Sequence, residues 1–234
     1  MNINGNIIVI GVGGCSRSGK TLLVNELINQ YKKLSKTDNF SDIYEVLHLD
    51  DYASFFKVMS SRVETSLGNS YGNWEFPGSL NWDTFYQNIK AKLKIMNKKL
   101  QSTPQNKNKK GILIEYLNIF DVFIFIALDK SIAKKRRMKT TSVPNDYYEE
   151  ILWPEYIKNC SNYIEYFNQQ KNNNKNVLII DGNKEYDVKN LSICLLKWMN
   201  IINDDKIINT EIYKELFIPY DEQIYLIENS FSST

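Results

Sequence analysis

Eight residues, Gly14-Cys15-Ser16-Arg17-Ser18-Gly19-Lys20-Thr21, carry the spacing G-x-x-x-x-G-K-T. Each fixed position has a chemical task. The glycines let backbone N–H groups curl around phosphate oxygens, Lys20 reaches the β- and γ-phosphates, and the Thr21 hydroxyl is a ligand for Mg²⁺. The spacing is that of a phosphate-binding P-loop, and it implies a nucleoside triphosphate bound with Mg²⁺. Cys15 fills a position the motif leaves open. A thiol beside Lys20 and a helix N-terminus has the surroundings that lower a cysteine pKa, and the alternative is a tolerated variable residue.

Other residues suit phosphoryl chemistry. His48-Leu49-Asp50-Asp51-Tyr52 closes a second apolar run. Two acids there can accept a proton from a hydroxyl and hold Mg²⁺ or its waters; the alternative is that they cap the next helix. His48, the only histidine, reads as structural. Glu115 ends the apolar run Ile112-Leu113-Ile114, where P-loop enzymes place a second Mg²⁺-organising acid. Ala133-Lys134-Lys135-Arg136-Arg137-Met138-Lys139 is a basic run. It is either a solvated face or a lid that brings arginines onto a transferring phosphoryl group. Asn73-Trp74-Glu75-Phe76-Pro77-Gly78-Ser79 sets an aromatic ring beside a carboxylate, and Tyr147-Tyr148 and Trp153-Pro154 follow the basic run. A carboxylate can accept both hydroxyls of a ribose while a ring stacks on the base; packing on the core is the other reading.

These residues need elements to position them. Apolar runs predict strands over 7–12, 44–49, 111–114, 122–128 and 177–180. Helical spacing predicts helices over 21–34, 84–99, 131–139, 154–167 and 188–202. Alternating strands and helices predict an α/β fold, a P-loop NTPase-type parallel five-stranded sheet flanked by helices, with a small basic lid over about 131–150. Strand C-termini and their loops then share one edge, where ligands bind. Residues 102–110 and 169–176 are polar and read as exposed connectors. Residues 1–208 are expected as one P-loop domain and 209–234 as an extension, with a helix over 211–217 and a mobile end. The chain has 234 residues, 43% of them hydrophobic, a net charge of +2 and three widely spaced cysteines, Cys15, Cys160 and Cys194. That charge makes no case for a nucleic-acid partner. The cysteines form no disulfide or zinc pattern, which points to a reducing compartment. No apolar run is long enough to span a membrane. A cytoplasmic protein with a small-molecule substrate is expected.

The combined pattern resembles the uridine-kinase-like branch of P-loop small-molecule kinases, and within it the nicotinamide riboside kinases. The resembling segments are GVGGCSRSGKTLL at 11–23, HLDDY at 48–52, NWEFPGSLNWDTF at 73–85 and ILIE at 112–115. AKKRRMK at 133–139, the YY…WPEYIK stretch at 147–158 and LIIDGNK at 178–184 continue it in the family's order. The P-loop and the paired aspartates are shared by many kinases; the NWE-P block and the WP-x-Y element are the narrower signals. The resemblance implies ATP and Mg²⁺ as cofactors and a riboside 5′-hydroxyl as acceptor. By position, Lys20 and the loop amides of Gly14, Cys15, Ser16, Arg17, Ser18 and Gly19 would hold ATP phosphates. Thr21, Asp50 and Glu115 would serve Mg²⁺, and Asp50 would also take the hydroxyl proton. Arg136 would reach the phosphates, and Glu75 and Arg137 would grip the ribose. Trp74 and either Tyr147 or Tyr148 would sandwich the pyridine ring, a cation that aromatic faces attract. Asp181-Gly182-Asn183 sits where the family passes the adenine.

The chain departs from that pattern in three places. Tyr116 stands where the family has glycine, with a shorter connector to Phe123. Glu75 stands where aspartate is usual, and the segment from Arg137 to Tyr147 is compressed. A uridine or cytidine kinase, or an ATP-binding protein that has lost turnover, remain alternatives. A GTPase reading lacks its guanine-reading acid, since Asn183-Lys184-Glu185-Tyr186 has tyrosine where N-K-x-D needs aspartate.

Overall fold

The computed structural model describes residues 7–35, 44–101, 111–114, 120–140, 142–171, 176–202 and 225. In chain order the strands are β1 (Ile7–Gly14), β2 (Tyr44–Val46), β3 (Arg62–Glu64), β4 (Ser70–Gly72), β5 (Gly111–Ile114), β6 (Val122–Ala127) and β7 (Asn176–Asp181). The helices are α1 (Lys20–Ser35), α2 (Phe55–Ser60), α3 (Trp82–Gln101), α4 (Lys130–Thr140), α5 (Asn145–Tyr147), α6 (Trp153–Lys171) and α7 (Val188–Trp198).

The main sheet runs β2-β5-β1-β6-β7. All neighbours are parallel, and β1 pairs with β5 through residues 7–9 and with β6 through residues 10–14. The expected α/β architecture, a parallel sheet flanked by helices, is what the chain builds. The reason is visible in β6, VFIFIA, where all six residues are buried. Side chains alternate across a strand, so Phe123, Phe125 and Ala127 join one core and Val122, Ile124 and Ile126 the other. On the first face α3 and α6 supply Phe85, Ile89, Trp153 and Cys160. On the second, α1 and α7 supply Leu23, Leu27, Leu191 and Leu195. Burying each such side chain stabilises the fold by roughly 1.5–3 kcal/mol. Parallel pairing also sends every strand C-terminus to one edge. The P-loop follows β1 there, Asp50 follows β2, α4 follows β6, and the Asp181 turn closes β7.

Several expected boundaries shift for local reasons. The second strand stops at Val46, because Leu49–Tyr52 winds into a 3₁₀ turn in which Ala53 N–H donates to Asp50 O at 3.1 Å. Asp50 and Asp51 therefore sit in a turn past the strand. The last long helix ends at Trp198, short of residue 202. Asn200 adopts a left-handed φ of 52°, and Ile201 N–H reaches back to Leu196 O at 2.9 Å. This is a Schellman stop with asparagine in the role glycine usually takes. The polar stretch over 169–176 is shorter than expected, since α6 runs on to Lys171 and β7 begins at Asn176. Glutamine costs a helix little. The hairpin β3–β4 and helix α2, between β2 and α3, were not expected. Residues 102–110, Glu115, Tyr116 and, apart from Tyr225, the 209–234 extension lie outside the described residues. No helix among the described residues is long and apolar enough to cross a membrane.

Candidate functional site

The G-x-x-x-x-G-K-T loop after β1 is held by backbone geometry that side chains resist. Gly14 has φ 136°, and a Cβ there would meet Ile126 O at 2.6 Å. Gly19 has φ 105°, yet a Cβ would meet nothing within 4 Å. Glycine is required there by conformation alone, and the hollow of the loop stays open. Arg17 takes a left-handed φ of 66° at the tip, and Ser18 N–H donates to Cys15 O at 3.2 Å. The first amides of α1 have no partner inside the helix and border this hollow.

Lys20 folds back over the loop, its Nζ donating to Gly14 O at 3.0 Å and to Cys15 O at 2.7 Å. Burial lowers its pKa; Cys15, Asp50 and Glu75 oppose that shift, and Arg137 adds to it. The four groups that reading the motifs singled out thus lie within electrostatic reach of one ammonium. For Cys15 the structure favours the tolerated variable residue over the activated thiol. Its thiol is 2% exposed, and burial pushes it up to about 11 against the pull of Lys20 and Arg136.

The hollow suits a polyphosphate with Mg²⁺. Ser18 Oγ is buried and has no hydrogen-bond partner among the described residues, which leaves a hydroxyl open beside the loop. Mg²⁺ needs few protein ligands, usually one or two oxygens completed by phosphate and water. Thr21 and Asp50 are both exposed. No cluster of three or more His, Cys, Asp or Glu among the described residues could cage a metal unaided.

The basic run divides its cations on α4. Arg137 donates to Ser16 Oγ in the P-loop, and Arg136 donates to Gly182 O at 3.0 Å. Lys134 and Lys130 instead pair with Glu149, at 2.5 and 2.8 Å. Lys135 and Lys139 are exposed. Neither sequence reading covers all of them, because a helix has inner and outer faces. The Asp181 turn is tied to the base of this helix. Asp129 N–H donates to Asn183 Oδ1 at 2.9 Å, and Asn183 Nδ2 donates to Asp129 Oδ1 at 3.0 Å.

The aromatic and acidic block precedes α3 in the chain. Trp74 is 51% exposed, its ring 6.4 Å from that of Phe55. Glu75 N–H donates to Asn73 Oδ1 at 3.2 Å, and Asn159 Nδ2 on α6 donates to Glu75 O at 3.3 Å. Burial raises the Glu75 carboxyl above its ordinary value. Arg137 and Lys20 pull it down, while Asp50 and Glu155 push it up. Tyr147 is 7% exposed, edge-on to Tyr71 at 5.3 Å. Its hydroxyl lies against the Trp74 amide without completing a hydrogen bond, and burial followed by Glu75 pushes it up to about 12. Tyr148 faces elsewhere. It stacks on Trp153 at 6.2 Å and donates to Lys130 O at 3.1 Å. Tyr147 is thus the tyrosine beside Trp74 and Glu75.

Two acids escaped the sequence reading. Asp146 accepts from Thr65 Oγ1 at 2.8 Å, Asn69 Nδ2 at 2.9 Å and Tyr71 OH at 3.1 Å. Glu150 accepts from Ser66 N–H at 2.7 Å and Ser66 Oγ at 2.6 Å. Together they fasten the β3–β4 hairpin beside Tyr147. The Gly68-Asn69 pair at its tip was the available signal, since these residues favour tight turns.

No family model matches the chain, and no curated protein does. Among solved structures, a deoxyadenosine kinase from M. mycoides with bound dATP is similar at 15% identity and a TM-score of 0.40, over 82% of this chain and 99% of that one. An uncharacterized protein from Eubacterium ventriosum is similar at 14% identity and a TM-score of 0.37, over 83% and 98%.

Proposed function

We propose that the chain is a P-loop phosphotransferase that moves the γ-phosphoryl group of ATP to the 5′-hydroxyl of a riboside, nicotinamide riboside before others. The observation that carries it is the convergence on Lys20. One ammonium on the loop lies within electrostatic reach of Asp50, Glu75 and Arg137, an acid, a candidate ribose grip and a cation of the basic run, which such a transfer requires. When bound, Mg²⁺ would be held by Thr21 and Asp50, with Glu115 by resemblance, and would neutralise charge on the phosphate oxygens. Asp50 is exposed at the shared edge, free to orient an incoming hydroxyl and accept its proton. Lys20 and Arg137 offset negative charge on the transferring group; Arg137, which donates to Ser16 in the loop, thus takes the phosphate role that the resemblance gave to Arg136, while Arg136 holds α4 to the Asp181 turn. Glu75 accepts ribose hydroxyls between Trp74 and Tyr147. Such catalysis is mostly positioning and charge neutralisation.

A coupled ADP-release assay across pyridine ribosides and pyrimidine nucleosides tests this reading. Riboside-dependent ADP formation is expected, falling by roughly 10²–10³-fold in Lys20→Ala and in Asp50→Ala. Full turnover in either variant removes the role given to that residue. ATP binding with no turnover on any nucleoside removes the activity.

A further inference from the structure

Two acids of the proposed site each share a segment with an exposed aromatic ring. Asp50 stands in the 3₁₀ turn that leads into α2, whose first residue is Phe55. Glu75 directly follows Trp74. Backbone contacts stitch the two segments together. Ser54 N–H donates to Ser79 O at 2.8 Å, Asn81 N–H donates to Tyr52 O at 2.8 Å, and Ala53 and Leu80 form an antiparallel bridge. There the Phe55 and Trp74 rings meet, with centroids 6.4 Å apart and planes inclined at 53°.

Neither ring belongs to a core of the fold. Phe55 is 67% exposed and Trp74 51%. Val58 holds α2 instead; it is fully buried and packs so closely on Gly72 that a Cβ there would meet its Cγ1 at 2.8 Å. The cations found over rings sit on Tyr44 and Tyr148, not on this pair. Tyr147 does not stack on Trp74. Its ring meets Tyr71 edge-on, and only its hydroxyl lies against the Trp74 backbone. Among the described residues, the ring that meets Trp74 is that of Phe55.

Two adjoining apolar rings left open to water on fixed backbones mark a place where something binds. A flat ring held between two others needs them roughly 7 Å apart, two carbon contacts of about 3.5 Å each. The wedge falls short of that by less than about 1 Å, and the exposed Phe55 ring can turn on its side-chain bonds to open it. Both walls present aromatic faces, which attract a cationic ring. The same two segments carry the acids for the other parts of a riboside, Asp50 for its hydroxyl and Glu75 for its diol. We propose that Phe55 is the second wall of the acceptor site, and that the flat base of the riboside stacks in the wedge between Phe55 and Trp74. The inference rests on the riboside-kinase reading and deepens it.

The test is calorimetric binding of nicotinamide riboside with a non-hydrolysable ATP analogue present. Phe55→Ala should weaken it about tenfold. Phe55→Leu, apolar but without an aromatic face, should fall with the alanine variant, and Phe55→Tyr should keep native affinity. Phe56→Ala is the control, since Phe56 is 81% exposed on the same helix and has no part in the wedge. Native affinity in Phe55→Ala or Phe55→Leu, with matching thermal unfolding, overturns the proposal, as does an equal loss in Phe56→Ala. Sedimentation covers the other use of such a patch. A native dimer that Phe55→Ala dissociates without changing riboside affinity assigns the ring to an interface and overturns the proposal. In the ADP assay Phe55→Ala should raise the riboside KM by the same factor, with kcat kept within about threefold. Binding in the expected order with no ADP formed sinks the kinase reading and sustains Phe55. Turnover with an unchanged KM in Phe55→Ala does the reverse, and a native chain that binds no riboside overturns both.

Discussion

At the residue scale, the candidate site balances charges that burial would otherwise make costly. Glu75 shows this best, because its carboxyl is raised by burial while Arg137 and Lys20 pull it down. In the role proposed for it, Glu75 must be ionised to accept ribose hydroxyls. The acid limb of kcat/KM for the riboside should therefore lie above the ordinary carboxylate value of about 4.3. Glu75→Gln should abolish that limb and raise KM; a limb that persists unchanged would belong to another group. Cys15 yields a simpler expectation. Burial pushes its thiol up to about 11, and Cys160 and Cys194 are buried as well. Thiolate is the reactive form, so an aromatic disulfide reagent at pH 8 should label the native protein slowly and all three thiols after denaturation. Prompt labelling of Cys15 would contradict its burial. The P-loop spacing named Lys20 and Thr21 directly. It could not reveal the thiol's state, because the enclosing Tyr148 and Cys160 come from distant segments that pack in the same core.

At the element scale, acids absent from any motif decide where the aromatic block sits. Asp146 receives three side-chain donors from the β3–β4 hairpin, and those from Asn69 and Thr65 head the causes that hold its carboxyl below the usual range. A group with a lowered folded pKa stabilises the fold above its unfolded pKa, and that contribution is lost as pH falls through the folded value. The hairpin should thus stay fastened at neutral pH and loosen only below the ordinary carboxylate range. Asp146→Ala should lose it at every pH. Hydrogen exchange is expected to show residues 62–72 losing protection while β6 and β7 keep theirs, together with a higher riboside KM through Tyr147. Uniform loss of protection would make Asp146 a global support instead. The hairpin strands are three residues each, too short for periodicity to reveal. Its partner carboxylates lie 77 and 84 positions further along the chain. For the same reason the basic run at 133–139 could be read as a lid or as a solvated face. The sorting of Arg136, Arg137 and Lys134 onto separate partners follows from how α4 is seated against the loop, the Asp181 turn and Glu149.

At the scale of the whole molecule, a double-sided sheet core carries both stability and the common edge. Ile124 is fully buried at its centre. Ile124→Ala should cost about 2–5 kcal/mol by denaturant unfolding; a cost below about 1 kcal/mol would mean the site collapses freely. Because ligand bound only to the folded state adds stability by mass action, ATP should recover part of that loss without altering the core. The sequence by itself determined the backbone of the loop after β1 and the parallel α/β plan, since each rests on local spacing. G-x-x-x-x-G-K-T places its own backbone, and a run such as VFIFIA can only be buried on both faces. Tertiary structure alone decided that Tyr147 and not Tyr148 stands beside Trp74, that Arg137 reaches Ser16, and that Asn159 reaches the Glu75 carbonyl. These are meetings between elements far apart in the chain, set by how helices seat against the sheet, and no local pattern records them.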